Sequence, residues 1–275
     1  MRLKPGFRIG ASFRARFDAL GERLVTLGKR ITLWDVAART RIGIGPPLRS
    51  PVHVDFSPDG AQVAAKGNEG EILVFDARSL AEVARFPGAG TPPLRFSPCG
   101  RYLLDGLTIR DAASGQPVWQ EGGDTVFDLA CTGDRRLWAY TQVSRQRTRF
   151  FTRTWPFWDA DPRPLPLEHG VAIALTDDGR RLAVAAGDVQ VWDLDGEPTV
   201  LARRAVDGGT PDALSWSPDG TALAHCENRA AYVYDAELSE LVSMPHLYGC
   251  DADFSPRGDL VAFGSWSKGI VIPRP

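Results

Sequence analysis

The sequence predicts an all-β protein: a seven-bladed β-propeller of four-stranded antiparallel blades, one domain over residues 1–275, closed by its N-terminal strand pairing in the last blade. Three observations predict it. A turn motif recurs at intervals of about 40 residues, the period expected of propeller blades. Short β-rich runs fill each interval, with no helical periodicity between them. The final copy runs out one strand short, while an unassigned strand precedes the first.

The strongest turn copies are DFSPDG (Asp55 to Gly60), RFSPCG (Arg95 to Gly100), SWSPDG (Ser215 to Gly220) and DFSPRG (Asp253 to Gly258). Weaker copies are FDALG (Phe17 to Gly21), LACTG (Leu129 to Gly133) and LTDDG (Leu175 to Gly179). With the glycine as marker, Gly21, Gly60, Gly100, Gly133, Gly179, Gly220 and Gly258 are spaced by 39, 40, 33, 46, 41 and 38 residues, so seven copies fill the chain. Each has hairpin chemistry. Proline presets φ, aspartate bonds the neighbouring backbone, and glycine takes a φ > 0 position that other residues resist.

Around each turn lie strand-forming runs such as Val52 to Phe56, Gln62 to Ala65, Ile72 to Phe75 and Glu82 to Phe86. The third run ends in an aromatic residue and an aspartate: ITLWD (Ile31 to Asp35), ILVFD (Ile72 to Asp76), PFWD (Pro156 to Asp159), VQVWD (Val189 to Asp193) and YVYD (Tyr232 to Asp235). TIRD (Thr108 to Asp111) keeps only the aspartate, and GIVIP (Gly269 to Pro273) keeps neither. This recurring ending resembles that of WD repeats (WD40-like propellers), and the resemblance covers essentially the whole chain. It implies closure by the strand at Gly6 to Ile9, added to blade seven. The Gly-His pair and the turn aspartate of well-formed WD repeats are missing, with Asn68 the nearest substitute, so apolar packing between blades is expected to dominate stability.

With 43% hydrophobic residues, 8 Trp and 13 Phe, the chain can bury a large core. A net charge of −2 argues against a general nucleic-acid binder, which needs a basic excess to neutralise phosphates. Lysine occurs only at Lys4, Lys29, Lys66 and Lys268, and this arginine-rich, alanine-rich composition suggests a GC-rich bacterial genome. No signal-peptide or membrane-spanning run is present, so a cytoplasmic location and no membrane partner are expected. Cys99, Cys131, Cys226 and Cys250 lie far apart and read as reduced thiols; no metal or other cofactor is expected.

Catalytic motifs are absent, and His53, His169, His225 and His246 fall in different blades without ligand spacing. His225, Cys226 and Glu227 are neighbours on a strand and point to opposite faces, and Asp177 and Asp178 belong to a turn. No acid or histidine recurs at one blade position, which counts against an enzyme. Blade four stands out. Its long hairpin, roughly Leu137 to Trp158, interleaves Arg145, Arg147, Arg149 and Arg153 with Trp155 and other aromatics, a pairing enriched at binding hot spots. Further candidates sit at or near the interblade loops: Arg49, Asp124, His169, Arg204, Asp207, His246 and Tyr248. The expected function is a non-enzymatic interaction module for another protein, an immunity-type inhibitor or a subunit of a larger complex. The alternatives are a ligand-binding or hydrolytic propeller and a local RNA or DNA contact through blade four.

Overall fold

Seven antiparallel sheets follow one another round a ring, six built from consecutive strands and the seventh from the last two strands of the chain with the first. The structure, a computed structural model, describes residues 6–122, 125–144, 147–206 and 211–275. Blade two shows the plan: Pro51–Phe56 innermost, then Gln62–Gly67, Glu71–Asp76 and Glu82–Pro87 at the rim. The inner strands of the other blades are Arg14–Phe17, Leu94–Phe96, Thr125–Cys131, Ala172–Leu175, Pro211–Trp216 and Gly249–Phe254.

Closure follows the expected route. Phe7–Ser12 is the outer strand of blade seven, with Phe7 opposite Val271. The middle of that blade is one continuous run, Leu260–Pro273, which pairs with Gly249–Phe254 along its first half and with Phe7–Ser12 along its second. Arg274 N donates to Asp259 O at 2.8 Å, which shows that the run doubles back.

Alternating strand direction puts the first-to-second and third-to-fourth turns at one end of the ring, here the turn end. The second-to-third turns and the connections between blades form the loop end. At the turn end the repeated motif forms the same four-residue turn in every blade, closed by Gly60 N to Ser57 O at 2.8 Å in blade two and by Gly100 N to Ser97 O at 3.0 Å in blade three. The third-strand aspartates have a local job. Asp76 Oδ1 accepts from the amides of Arg78 and Ser79, and Asp35, Asp111, Asp193 and Asp235 cap their own turns likewise.

Blade four departs from the expectation in two places. The residue that closes its turn is Arg135, whose N donates to Thr132 O at 2.8 Å and whose φ is 56°, so Gly133 is not the left-handed position. PFWD is not a strand ending. The third strand is Arg147–Thr154, and Phe157–Asp159 forms a 3-10 turn, because Pro156 has no N–H to extend the ladder.

The core is divided among the seams between blades. Val25, Leu33, Val54, Phe56 and Phe75 fill the seam of blades one and two, and comparable clusters fill the other six. Six of the seven neighbouring inner-strand pairs pack closely; those of blades three and four diverge. Aromatic bulk fills that seam instead, where Trp138, Tyr140 and Phe157 are buried with Trp119, Phe151 and Trp155 against them. Among the described residues no helix is long and apolar enough to cross a membrane.

Candidate functional site

The inner strands enclose a channel of about 620 Å³. Side chains alternate along a strand, so each blade offers the channel one residue two positions before its turn. From blade one to blade seven these are Arg16, Asp55, Arg95, Ala130, Ala174, Ser215 and Asp253. One half of the wall is charged with alternating sign; the other is small and uncharged. Two residues closer to the loop end, Arg14, Asp128 and Asp251 form a second charged level, with His53 beside them.

Most of the carboxylates serve the ring. Asp55 Oδ2 accepts the amide of Phe96 in the next blade at 2.8 Å, and Asp128 Oδ2 accepts that of Ile173 at 2.9 Å. Asp251 and Asp253 of blade seven do the same for Ala15 and Phe17 of blade one, both at 2.8 Å. Ser215 Oγ makes the equivalent contact to Phe254 N at 3.2 Å. Each such bond satisfies an inner-strand amide that would otherwise face the neighbouring blade unpaired. A polar device therefore does recur between blades, beside the apolar packing that the sequence led one to expect. Acids recur at single blade positions too, Asp55 with Asp253 and Asp128 with Asp251, which corrects the expectation that none does.

The channel cations differ in how they are held. Arg16 Nη1 lies 2.5 Å from Asp251 Oδ2, and Arg14 donates to the carbonyls of Val52 (3.0 Å) and Cys250 (2.6 Å). Arg135 reaches from blade four past blade three: Nη1 donates to Asp55 Oδ2 at 2.7 Å and Phe96 O at 2.9 Å, and Nη2 to Phe56 O at 3.2 Å. It bridges the diverging seam at the turn end. His53 Nε2 lies 3.1 Å from Thr91 O and therefore carries the proton, while burial, with Arg14 and Arg95 nearby, holds the ring well below its usual pKa and neutral. Burial pushes Asp253 up to about 6, and Asp128 also upward. Among the described residues no three potential metal ligands come together.

Several residues singled out from the sequence prove to be structural. Arg153 is buried, paired with Glu121, bonded to Ala160 O at 2.8 Å and set over the rings of Trp119 and Phe157. Arg204 donates to Leu238 O and Glu240 at 3.1 Å and lies over the Tyr234 ring, so it staples the rims of blades five and six. Trp155 is half-buried against Tyr102, Phe157 and Trp158. Arg49, His169, His246 and Tyr248 are exposed at the loop end, and Arg147 and Arg149 are exposed on the long hairpin. They stand apart around the ring rather than meeting at one point. Arg145, Asp124 and Asp207 lie outside the described residues.

The channel residues went unnoticed in the sequence. Their signal is there: aligned on the turn, RFD, DFS, RFS and DFS place a charge beside a core aromatic, and on a strand that charge must face away from the core.

Ring, channel and closure define a seven-bladed β-propeller. No known family's profile matches the chain, and no curated protein matches it in sequence. In fold it is similar to hydrazine synthase of Kuenenia stuttgartiensis, with a TM-score of 0.80 at 14% identity over 95% of each chain. It is likewise similar to the β-propeller domain of Cps50 (Swd1) from Myceliophteria thermophila, with a TM-score of 0.81 at 11% identity, covering 100% of this chain and 99% of that one. At such identities the likeness is one of fold alone.

Proposed function

We propose that the chain is a non-catalytic binding module, a single WD-like propeller domain over residues 1–275, that holds a protein partner on its loop end. The observation that carries this reading is the exposure of large aromatics there: Trp266 is 65% exposed, Phe127 55% and Tyr248 49%. Trp266 occupies the second-to-third-strand turn of blade seven, its ring 4.4 Å from that of Phe13. Phe127 sits at a bulge on the inner strand of blade four, and Tyr248 in the connection from blade six to blade seven. Aromatics so displayed give large contact area at low entropic cost, the usual make-up of binding hot spots. Of the other exposed apolar side chains, Trp158 lies at the turn end of blade four, and Ile42, Ile44, Val83 and Val118 lie on outer strands. Arg49, Arg147, Arg149, His169 and His246 supply a basic surround suited to an acidic protein surface. A reducing, cytoplasmic setting accords with four free thiols.

The test is affinity capture from the native cell with the wild type, a Trp266→Ser/Tyr248→Ser variant and an Ile42→Ser/Val200→Ser control on the rim. One protein should be recovered in stoichiometric amount with the wild type and the control and lost with the loop-end variant. Equal recovery with both variants, or recovery of nucleic acid alone, refutes the reading.

A further inference from the structure

The four arginines of the channel are not equivalent. Arg16 and Arg135 are each neutralised by an aspartate, and Arg14 is tied to two backbone carbonyls and lies 3.8 Å from Asp251. The Arg95 side chain has no hydrogen-bond or ion-pair partner among the described residues, although it is half-buried in the channel wall. Burial and the charge of Arg16 both act against its cation, with Asp55 opposing them. A guanidinium presents five donors in a planar fork, and leaving such a group desolvated and unpaired is costly.

The surroundings of Arg95 show what could satisfy it. Asp55, whose charge acts on Arg95, already accepts the amide of Phe96 and both terminal nitrogens of Arg135. Across the channel the same level is formed by Ala174 and Ser215, small side chains that leave the cavity open. A cavity of about 620 Å³ is within the size range of small-molecule sites.

We infer that the channel is a binding site for a small organic oxyanion, a carboxylate or phosphate monoester, whose anionic head is held bidentately by Arg95 and whose body lies toward Ala174. Bidentate recognition of carboxylate and phosphate is the chemistry a guanidinium fork serves best. The site is inside the ring and independent of the aromatic surface of the loop end, so either reading can fail without the other.

The test is calorimetric and thermal-shift titration of the intact chain with benzoate, phenyl phosphate and inorganic phosphate, at constant ionic strength set with chloride. The wild type should bind benzoate or phenyl phosphate saturably, and its melting temperature should rise with ligand. Comparison of the two organic probes identifies the head group, and inorganic phosphate shows whether the body contributes. Arg95→Met should weaken binding at least about tenfold, the effect of losing one charge-assisted pair, while its ligand-free melting temperature equals or exceeds that of the wild type because an unpaired buried charge is gone. Arg95→Gln, which keeps a polar side chain in the wall but removes the cation and its fork, should weaken the probes likewise and serves as the second variant if Arg95→Met is poorly folded. The inference is overturned if none of the three probes binds the wild type above the chloride background, or if binding is unchanged in Arg95→Met or, where that variant does not fold, in Arg95→Gln.

Discussion

Replacing His225 with leucine tests what a buried imidazole costs this ring as the pH falls. His225 lies on the second strand of blade six, is 0% exposed, and has neither ring nitrogen hydrogen-bonded among the described residues. Its ring stacks on Tyr232 at 5.9 Å and lies 6.2 Å from Tyr234. Burial lowers its pKa from 6.5 to about 4, because a charged ring in that seam would be desolvated with nothing to pair it. The unfolded chain therefore takes up a proton at a higher pH than the folded one. Stability is undiminished above pH 6.5, falls by up to about 1.4 kcal/mol per unit as the pH drops toward 4, and levels off below. The loss is close to zero near pH 7.5 and about 2.5 kcal/mol near pH 4.5. Asp253, with its pKa raised to about 6, has the opposite slope between 6 and 3.8, but it is common to both proteins and cancels in their difference. Urea unfolding followed by far-ultraviolet dichroism at four pH values would measure that difference. Whatever the repacking effect of leucine, its advantage over histidine should grow by about 2.5 kcal/mol from pH 7.5 to pH 4.5; a difference that stays constant with pH refutes the reasoning.

Two further substitutions probe the polar links between blades. Lys66 and Asp105 form a fully buried ion pair across the seam of blades two and three, with Lys66 Nζ also bonded to Pro92 O at 2.8 Å. Asp105→Leu should cost roughly 3–5 kcal/mol by stranding the ammonium, and adding Lys66→Met should restore only part of it, because Arg110 Nε and the amide of Ala89 lose the same acceptor, as a denaturation cycle would show. Arg135→Gly and Arg135→Ala both remove the bridge to Asp55, but only glycine is at ease at φ 56°. The glycine variant should be the more stable of the two by about 1 kcal/mol in urea unfolding, and equal stabilities would show that the backbone carries no strain there.

What could be read in the sequence was whatever is local in space. The Ser-Pro-Asp-Gly turns act within four residues, so blade number, strand order and closure followed from them. PFWD misled because its spelling matches a strand ending, while Pro156 and the demand of the Trp138–Tyr140 seam for Phe157 override it. Gly133 misleads for a similar reason: it is the nearest glycine to the turn, but the residue that closes the hairpin is two positions on. Arg153 looked like a surface cation because its partner, Glu121, lies 32 residues away in another blade. The channel required two facts together, which face of each inner strand looks inward and which blades are neighbours. Only the closed ring supplies the second.

The interblade bonds of the inner strands all point the same way: the acceptor belongs to one blade and the amide to the next. Round a circle this rule has no first member. In the order in which the chain is made, however, the amides of Ala15 and Phe17 each emerge 236 residues before their acceptors, Asp251 and Asp253. Blade one can form its hairpins early but remains unfinished on its inner edge until blade seven arrives. Phe7–Ser12 waits likewise for Leu260–Pro273. Two sets of backbone groups at the head of the chain thus depend on the same late segment, so completion of the ring is a single event, and a ribosome-bound chain halted anywhere before residue 250 carries an open edge on its oldest blade.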